Sequence, residues 1–380
     1  MKPRLVTILC SGFGLGFYNP GLIVSSQLRG QGVPTEVLVF ESFIEQEKQD
    51  KILDSKKAYH DNFSVALMAT KIPRDIRDSL DFDKLDSLLA EWSEQNRTDF
   101  IVLSGHWVYV LDMYRARLGE SGKAVQADML YVDSDYSPSW RSLRKYNPDY
   151  TQHYRDAWLY HAGSRSINCY IPVGPQEPIA LGDRPNRYVI HGGGWGMGTY
   201  SSKIPELEAR CLELDIVAYE LEEAQRDVPG NRIFMNDPGW VAWRKGPSGE
   251  HEFPLFGEIV SGEQPCFANG TTHHGLYDVI RQAKAIISKP GAGTLMDSLA
   301  SATPVIMLEP FGPHERCNSE IWEEAGLGIS YEAWKQSGFA AAPLAQMHKR
   351  LLELRSSLPS YTDVFLQTHG IGKEGGIHVK

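Results

Sequence analysis

Two short apolar runs in this chain each stop at a cluster of glycines: LVTILC before SGFGLG, at residues 5–16, and YVIH before GGGWG, at residues 188–196. A run of that length ending in glycines reads as a buried strand that leaves its sheet through a tight turn and enters a helix. Two such units so far apart require two α/β cores. TEVLVF, FIVLSG and MLYVDS follow the first unit, and DIVAYEL, NRIFMN, AIIS and PVIML follow the second, with helix-patterned segments between them. That is the alternation of parallel sheets. The first helix is expected from about Gly21 to Gly30. At 380 residues the chain exceeds what one hydrophobic core serves, which agrees with two domains of roughly 150–200 residues. The proline- and glycine-rich stretch from Ile171 to Pro185 marks the boundary. The expected fold is α/β, with two Rossmann-like doubly wound domains facing across a cleft. They span 1–175 and 187–380, joined by a linker at 176–186, and the last helix is a candidate to cross back. Both glycine turns follow the first strand of their domain and so open into that cleft.

Charge and composition narrow the partners. The formal net charge is −10 with a pI near 5.7 and no basic run, which argues against a nucleic-acid partner. Cys10, Cys169, Cys211, Cys266 and Cys317 are scattered without metal-type or disulfide-framework spacing, so reduced thiols are expected. The start Met1-Lys2-Pro3-Arg4 with LVTILC is too interrupted by Gly12, Gly14 and Gly16 to read as a signal peptide. No stretch approaches the ~20 apolar residues of a membrane span. A soluble, cytoplasmic protein is expected.

The segment from Tyr277 to Gly328 carries the chemistry. It runs through the helix-patterned YDVIRQA, the strand AIIS, the turn Lys289-Pro290-Gly291-Ala292-Gly293-Thr294, the helix LMDSLASA, the strand PVIML, and Pro313-His314-Glu315-Arg316-Cys317-Asn318. A glycine turn between strand and helix presents unpaired N–H groups at the positive end of the helix dipole, which suits a phosphate. Asp297 falls one turn after Gly293 and Thr294, where a carboxylate can accept from ribose hydroxyls. A solvated aspartate at a helix start is the plainer alternative. A nucleotide is the expected ligand.

Taken together, these residues resemble the donor-binding half of inverting nucleotide-sugar glycosyltransferases with the GT-B fold. The pattern is that of the bacterial peptidoglycan N-acetylglucosaminyltransferase, the plant galactolipid synthases and the UDP-glycosyltransferase superfamily. The resemblance implies that Gly291, Gly293 and Thr294 hold a diphosphate, Asp297 the ribose, and Glu315 and Asn318 the donor sugar. It places Thr272 and His273 beside a uracil or thymine ring, and Gly193 and Gly194 on the donor side of the cleft. A UDP-sugar or dTDP-sugar is then the co-substrate, with no further cofactor. Metal-independent chemistry is expected, since no DxD-type acidic pair suggests a metal-held diphosphate and His273 and His274, adjacent in an extended chain, point apart.

The N-terminal half matches less closely. Gly16-Phe17-Tyr18-Asn19-Pro20-Gly21-Leu22 lies where many of these enzymes carry Gly-His-x-x-Pro-Gly-Leu, and Phe17 replaces the histidine that serves one branch as general base. A base of tunable pKa is still needed to deprotonate an acceptor hydroxyl. Asp133, in YVDSDYSPSW, and His106, in LSGHW, are the candidates at strand ends; a turn-opening aspartate and a structural histidine are their plainer readings. Gly14, Gly16, Phe17, Asp135 and Trp140 are assigned to the acceptor side of the cleft, for a small-molecule or lipid-linked acceptor. Tyr146, Tyr150, Tyr154 and Trp158 form either an acceptor wall or one packed helical stripe. Trp195 either covers the donor or fills the hinge.

Three other functions fit parts of the pattern. An epimerase or hydrolase on the same scaffold would release the nucleotide without an acceptor, and a non-catalytic homologue would only bind the nucleotide sugar. A dinucleotide-dependent oxidoreductase would use Gly12-x-Gly14, with Glu41 at the end of the second strand holding a ribose, although Phe17 stands at the third glycine position.

Overall fold

The structure is a computed structural model and describes residues 4–69, 75–225 and 228–371. Met1, Lys2 and Pro3, part of the start weighed above as a leader, lie outside them. The first domain runs β1 (Val6–Cys10), α1 (Leu15–Gly30), β2 (Thr35–Val39), α2 (Gln46–Asp61), α3 (Phe63–Ala69), α4 (Phe82–Glu94), β3 (Asp99–Val102), α5 (His106–Leu118), β4 (Gln126–Tyr131), α6 (Pro138–Tyr146) and β5 (Arg155–Trp158). Its five strands pair in the order β2-β1-β3-β4-β5, all parallel. A short hairpin follows, β6 (Tyr160–His161) with β7 (Ser166–Ile167).

The second domain contains β8 (Arg187–His191), α7 (Tyr200–Glu208), β9 (Glu213–Ala218), β10 (Arg232–Asn236), β11 (Phe256–Ile259), α8 (Gly275–Ile280), β12 (Ala285–Ser288), α9 (Ala292–Ser301), β13 (Val305–Met307), α10 (Pro313–Glu324), β14 (Gly328–Ser330), α11 (Tyr331–Gln336) and α12 (Ala342–Ser357). The strand order is β11-β10-β9-β8-β12-β13-β14, parallel except for β11. Without β11 this is the doubly wound order that reverses beside its first strand, so its crevice opens between the ends of β8 and β12. In the first domain the reversal lies between β1 and β3.

The last helix, α13 (Tyr361–His369), lies on the first domain. The Tyr361 hydroxyl donates to Asp128 at 3.1 Å and His369 reaches the same carboxylate at 2.8 Å. One apolar cluster accordingly runs through both domains, joining Ile23 and Val24 of α1, Leu295 and Met296 of α9, and Tyr361 and Phe365 of α13. Each such side chain, fully buried, contributes roughly 1.5–3 kcal/mol, so the domains are held together by a common core.

Two local expectations change. Helix α1 begins at Leu15, six residues before the expected start, and carries Pro20 inside it. Gly21 makes its packing possible, because a Cβ there would stand 2.0 Å from the Cys10 sulfur of β1. The aromatic segment is no helical stripe. Tyr146 ends α6, Tyr150 sits in a short 3-10 turn, and Trp158 ends β5. The turn Asn147-Pro148-Asp149 breaks the helical period, since proline disfavours helical backbone in the residue before it.

Candidate functional site

The site lies where α1 and α9 begin. Gly14 caps α1 and Gly291 caps α9, each in extended backbone. The two helix starts meet: a Cβ on Gly16 would lie 3.5 Å from the Gly293 backbone nitrogen, and one on Gly293 would lie 3.8 Å from the Gly16 Cα. Two N-terminal dipole ends therefore converge on one small volume, which favours a negatively charged ligand there. The turn after β8 closes over it, with Gly194 packed on Leu15 and Gly193 beside the Lys289 ammonium. Gly193 has φ +75, a conformation that glycine adopts without strain.

Lys289, at the end of β12, adds a full charge. It is buried, and its Nζ donates to Glu315 Oε1 at 3.3 Å. The other Glu315 oxygen accepts from the Phe311 backbone N–H at 2.6 Å. Sequence reasoning assigned Glu315 but missed Lys289. The signal available was a lysine directly before a phosphate-type turn. His191, at the end of β8, accepts at Nδ1 from the Gly193 N–H at 3.0 Å and lies 3.3 Å from the Ser288 hydroxyl. Burial, with Lys289 and His274 nearby, holds its pKa down to about 3. It is a neutral imidazole whose proton sits on Nε2, and that nitrogen has no protein partner.

Asp297 is where the spacing put it, one turn into α9, but its Oδ1 is paired with His274 Nε2 at 3.1 Å and both side chains are buried. His273 turns the other way, with Nε2 3.2 Å from Asp278 and Nδ1 3.0 Å from the Thr272 hydroxyl. The two adjacent histidines do diverge, in a loop before α8. Thr294 is buried in the first turn of α9.

Across the cleft, Asp133 follows β4. It is buried, and burial pushes its pKa up, opposed by His314, by a hydrogen bond from Asn318 and by Lys289, while Glu315 adds to the rise. Asn318 joins the domains: Nδ2 donates to Asp133 Oδ1 and to the Pro290 carbonyl, both at 2.8 Å, and Oδ1 accepts from the Ser134 N–H at 2.7 Å. Asp135, two residues on, pairs with Arg141 at 2.8 Å.

His106 stands apart from this group. It opens α5, half-buried against Phe40 with ring centroids 5.2 Å apart, and burial lowers its pKa to about 4. Among the described residues no hydrogen bond, ion pair or ring contact joins it to Asp133. Trp140 does not line the cleft. It is 2% exposed in the first domain's own core, against Tyr131 and Tyr150, because the helix it sits on turns that face to the sheet. Phe17 packs at the edge of the shared core and its N–H bonds to the Gly14 carbonyl at 3.0 Å.

The first glycine turn is already occupied by protein. Glu41 accepts from the Ser11 hydroxyl at 2.7 Å, the Gly12 N–H at 2.6 Å and the Phe13 N–H at 3.1 Å. A carboxylate thus fills the donors that a dinucleotide would need. His60, Asp61 and Glu220 place three potential metal ligands within 4.8 Å. The Lys57 ammonium, bonded to Glu220 and 3.9 Å from Asp61, already supplies the positive charge there.

Solved structures share this architecture over nearly the whole chain. The glycosyltransferase SnogD from Streptomyces nogalater aligns with 97% of this chain and 99% of its own at a TM-score of 0.54 and 13% identity. The chain has the GT-B fold. The spinosyn rhamnosyltransferase SpnG aligns at a TM-score of 0.56 and 11% identity, over 97% of this chain and 100% of its own. The glycosyltransferase VinC in complex with dTDP aligns at 0.53 and 10%, over 98% and 100%. No protein-family model matches the sequence, and no curated protein matches it. Among the described residues no helix is long and apolar enough to cross a membrane.

Proposed function

We propose that this protein transfers a sugar from a UDP- or dTDP-sugar to an acceptor hydroxyl by one inverting displacement that needs no metal. The observation that carries this reading is the Asn318 amide, which holds a buried carboxylate of one domain, Asp133, against the phosphate-type turn of the other. Asp133 takes the acceptor proton as the acceptor oxygen bonds to the sugar C1 and the C1–oxygen bond to the diphosphate breaks. Its raised pKa keeps it basic enough to do so near neutral pH. The departing diphosphate gains negative charge, which the starts of α1 and α9, the Lys289 ammonium and the His191 Nε2–H are arranged to receive. Those groups supply the positive field that a divalent cation supplies elsewhere. Glu315 and Asn318 border the donor sugar, and Asp297 reaches the ribose once His274 releases it. VinC, solved with dTDP, supports a pyrimidine diphosphate as the leaving group.

The test is a thermal-shift series with UDP, dTDP, ADP and NADH, followed by product analysis with the matching nucleotide sugars. A ligand at 100 times its dissociation constant adds about 2.7 kcal/mol. Stabilisation by UDP or dTDP, with acceptor-dependent release of the nucleotide, supports transfer. Release without an acceptor points to a hydrolase, isomerisation of the sugar to an epimerase, and binding without turnover to a non-catalytic homologue. Stabilisation by NADH alone would overturn the reading, against the Glu41 contacts that fill the first turn.

A further inference from the structure

Helix α2 of the first domain reaches across to the second, and one of its lysines stands in an aromatic cage at the mouth of the cleft. The Lys56 ammonium lies 5.3 Å from the Trp195 ring centroid and 5.4 Å from that of Trp243. Trp195 belongs to the glycine turn after β8, and Trp243 covers the first glycine turn, where a Cβ on Gly12 would come within 3.3 Å of its ring. Phe13, 42% exposed, meets Trp195 at 4.3 Å between centroids, and Tyr59 stacks on its ring at 5.6 Å.

The cage is rich in unused donors. Lys56 makes no hydrogen bond or ion pair with any described residue. Glu41, the carboxylate whose charge acts on it, already accepts three hydrogen bonds from Ser11, Gly12 and Phe13. The Trp195 indole N–H is buried and also lacks a partner. An unpaired buried donor such as the Trp195 N–H costs roughly 1–3 kcal/mol, and with the half-buried, unpaired Lys56 ammonium beside it and an exposed aromatic ring it invites an acceptor from outside the protein. We propose that this cage binds a carboxylate on the acceptor substrate, with Lys56 and the Trp195 N–H meeting its oxygens and Phe13 supporting a planar body. The acceptor class is then a flat hydroxy acid, an assignment that rests on the glycosyltransferase reading. A single charge fits better than a phosphate dianion, because Glu41 lies within Coulombic reach of the same ammonium. Burial lowers the Lys56 pKa to about 8, and at pH 7 the group is still mostly cationic.

The experiment is calorimetric titration at pH 7 of the full chain, with and without UDP or dTDP, using 4-hydroxybenzoate and 1-hydroxy-2-naphthoate against their methyl esters. The acids are expected to bind at least about tenfold more tightly than the esters, as for a hydrogen bond to a charged group. Lys56→Gln should abolish that preference, and Lys56→Arg should retain it, with melting temperatures confirming that both variants fold. Equal binding of acid and ester, no binding of any acid, or a preference that survives Lys56→Gln would each overturn the proposal. If neither UDP nor dTDP binds while the Lys56-dependent acid preference remains, the donor reading fails and the carboxylate site stands.

Discussion

Asn318 Nδ2 donates to Asp133 Oδ1 at 2.8 Å across 185 positions of sequence. With the Pro290 carbonyl and the Ser134 N–H as its other partners, this one amide fixes the distance between a carboxylate of the first domain and the phosphate-type turn of the second. It also lowers the pKa of a carboxylate that burial raises.

Asn318→Ala should therefore move the acidic limb of the rate profile to higher pH. Asp133 loses a donor that favours its ionised form, so the fraction able to act as base at a given pH falls. Asp133→Asn should lower turnover by about 10²–10⁴-fold with unchanged nucleotide affinity. Full turnover in Asp133→Asn would remove it as the base.

Asp297 and His274 give opposite expectations. If Asp297 holds the ribose as proposed, Asp297→Ala should weaken UDP or dTDP binding about tenfold, as expected for hydrogen bonds to a charged group. His274→Ala removes the imidazole that competes for the same oxygen, so it should leave nucleotide affinity unchanged or tighter. Calorimetry on both variants checks this, and weaker binding by His274→Ala would mean that the pair acts as one unit.

Lys289 faces the diphosphate on this reading. Lys289→Met combined with Glu315→Gln avoids stranding a buried charge, whose unpaired cost is about 3–5 kcal/mol. The double variant should fold and lose affinity for UDP while keeping that for uridine. Parallel losses for both ligands would place Lys289 outside the phosphate site.

The contact of α2 with the second domain is expected to be pH-dependent. His60 Nδ1 lies 2.8 Å from the Gly196 carbonyl and Nε2 3.3 Å from Glu223, so both nitrogens face acceptors. Burial works against the charged imidazole, yet the bonds to Glu223 and Gly196, with the charges of Glu223 and Glu220, raise its pKa above 6.5. A raised histidine stabilises the fold fully below its unfolded pKa, and that contribution is lost as pH rises through the folded value. The stability that His60 contributes should fall as pH rises past about 6.5, read as the difference in melting temperature between the protein and His60→Gln, because the neutral His106 and His191 add stability over the approach to that pH. The Glu223 carboxyl, lowered to about 2, adds its own dependence only below its ordinary value of 4.5, outside that window.

The sequence alone determined the features that depend on near neighbours. Strand AIIS, its glycine turn and the helix carrying Asp297 follow from residues in immediate succession, and so do LVTILC and the doubly wound alternation, because strand period, turn chemistry and helix dipole are local properties. Tertiary structure decided who touches whom. Glu41, at a strand end, fits a ribose ligand only in the dinucleotide alternative, and packing brings it onto the Gly12 and Phe13 amides. Trp140, polar in its neighbours and aromatic in itself, gave no sign of which helix face would meet the sheet. The Asn318–Asp133 bond and the cage around Lys56 join elements of different domains, whose apposition is set by a shared apolar core and by no periodicity along the chain.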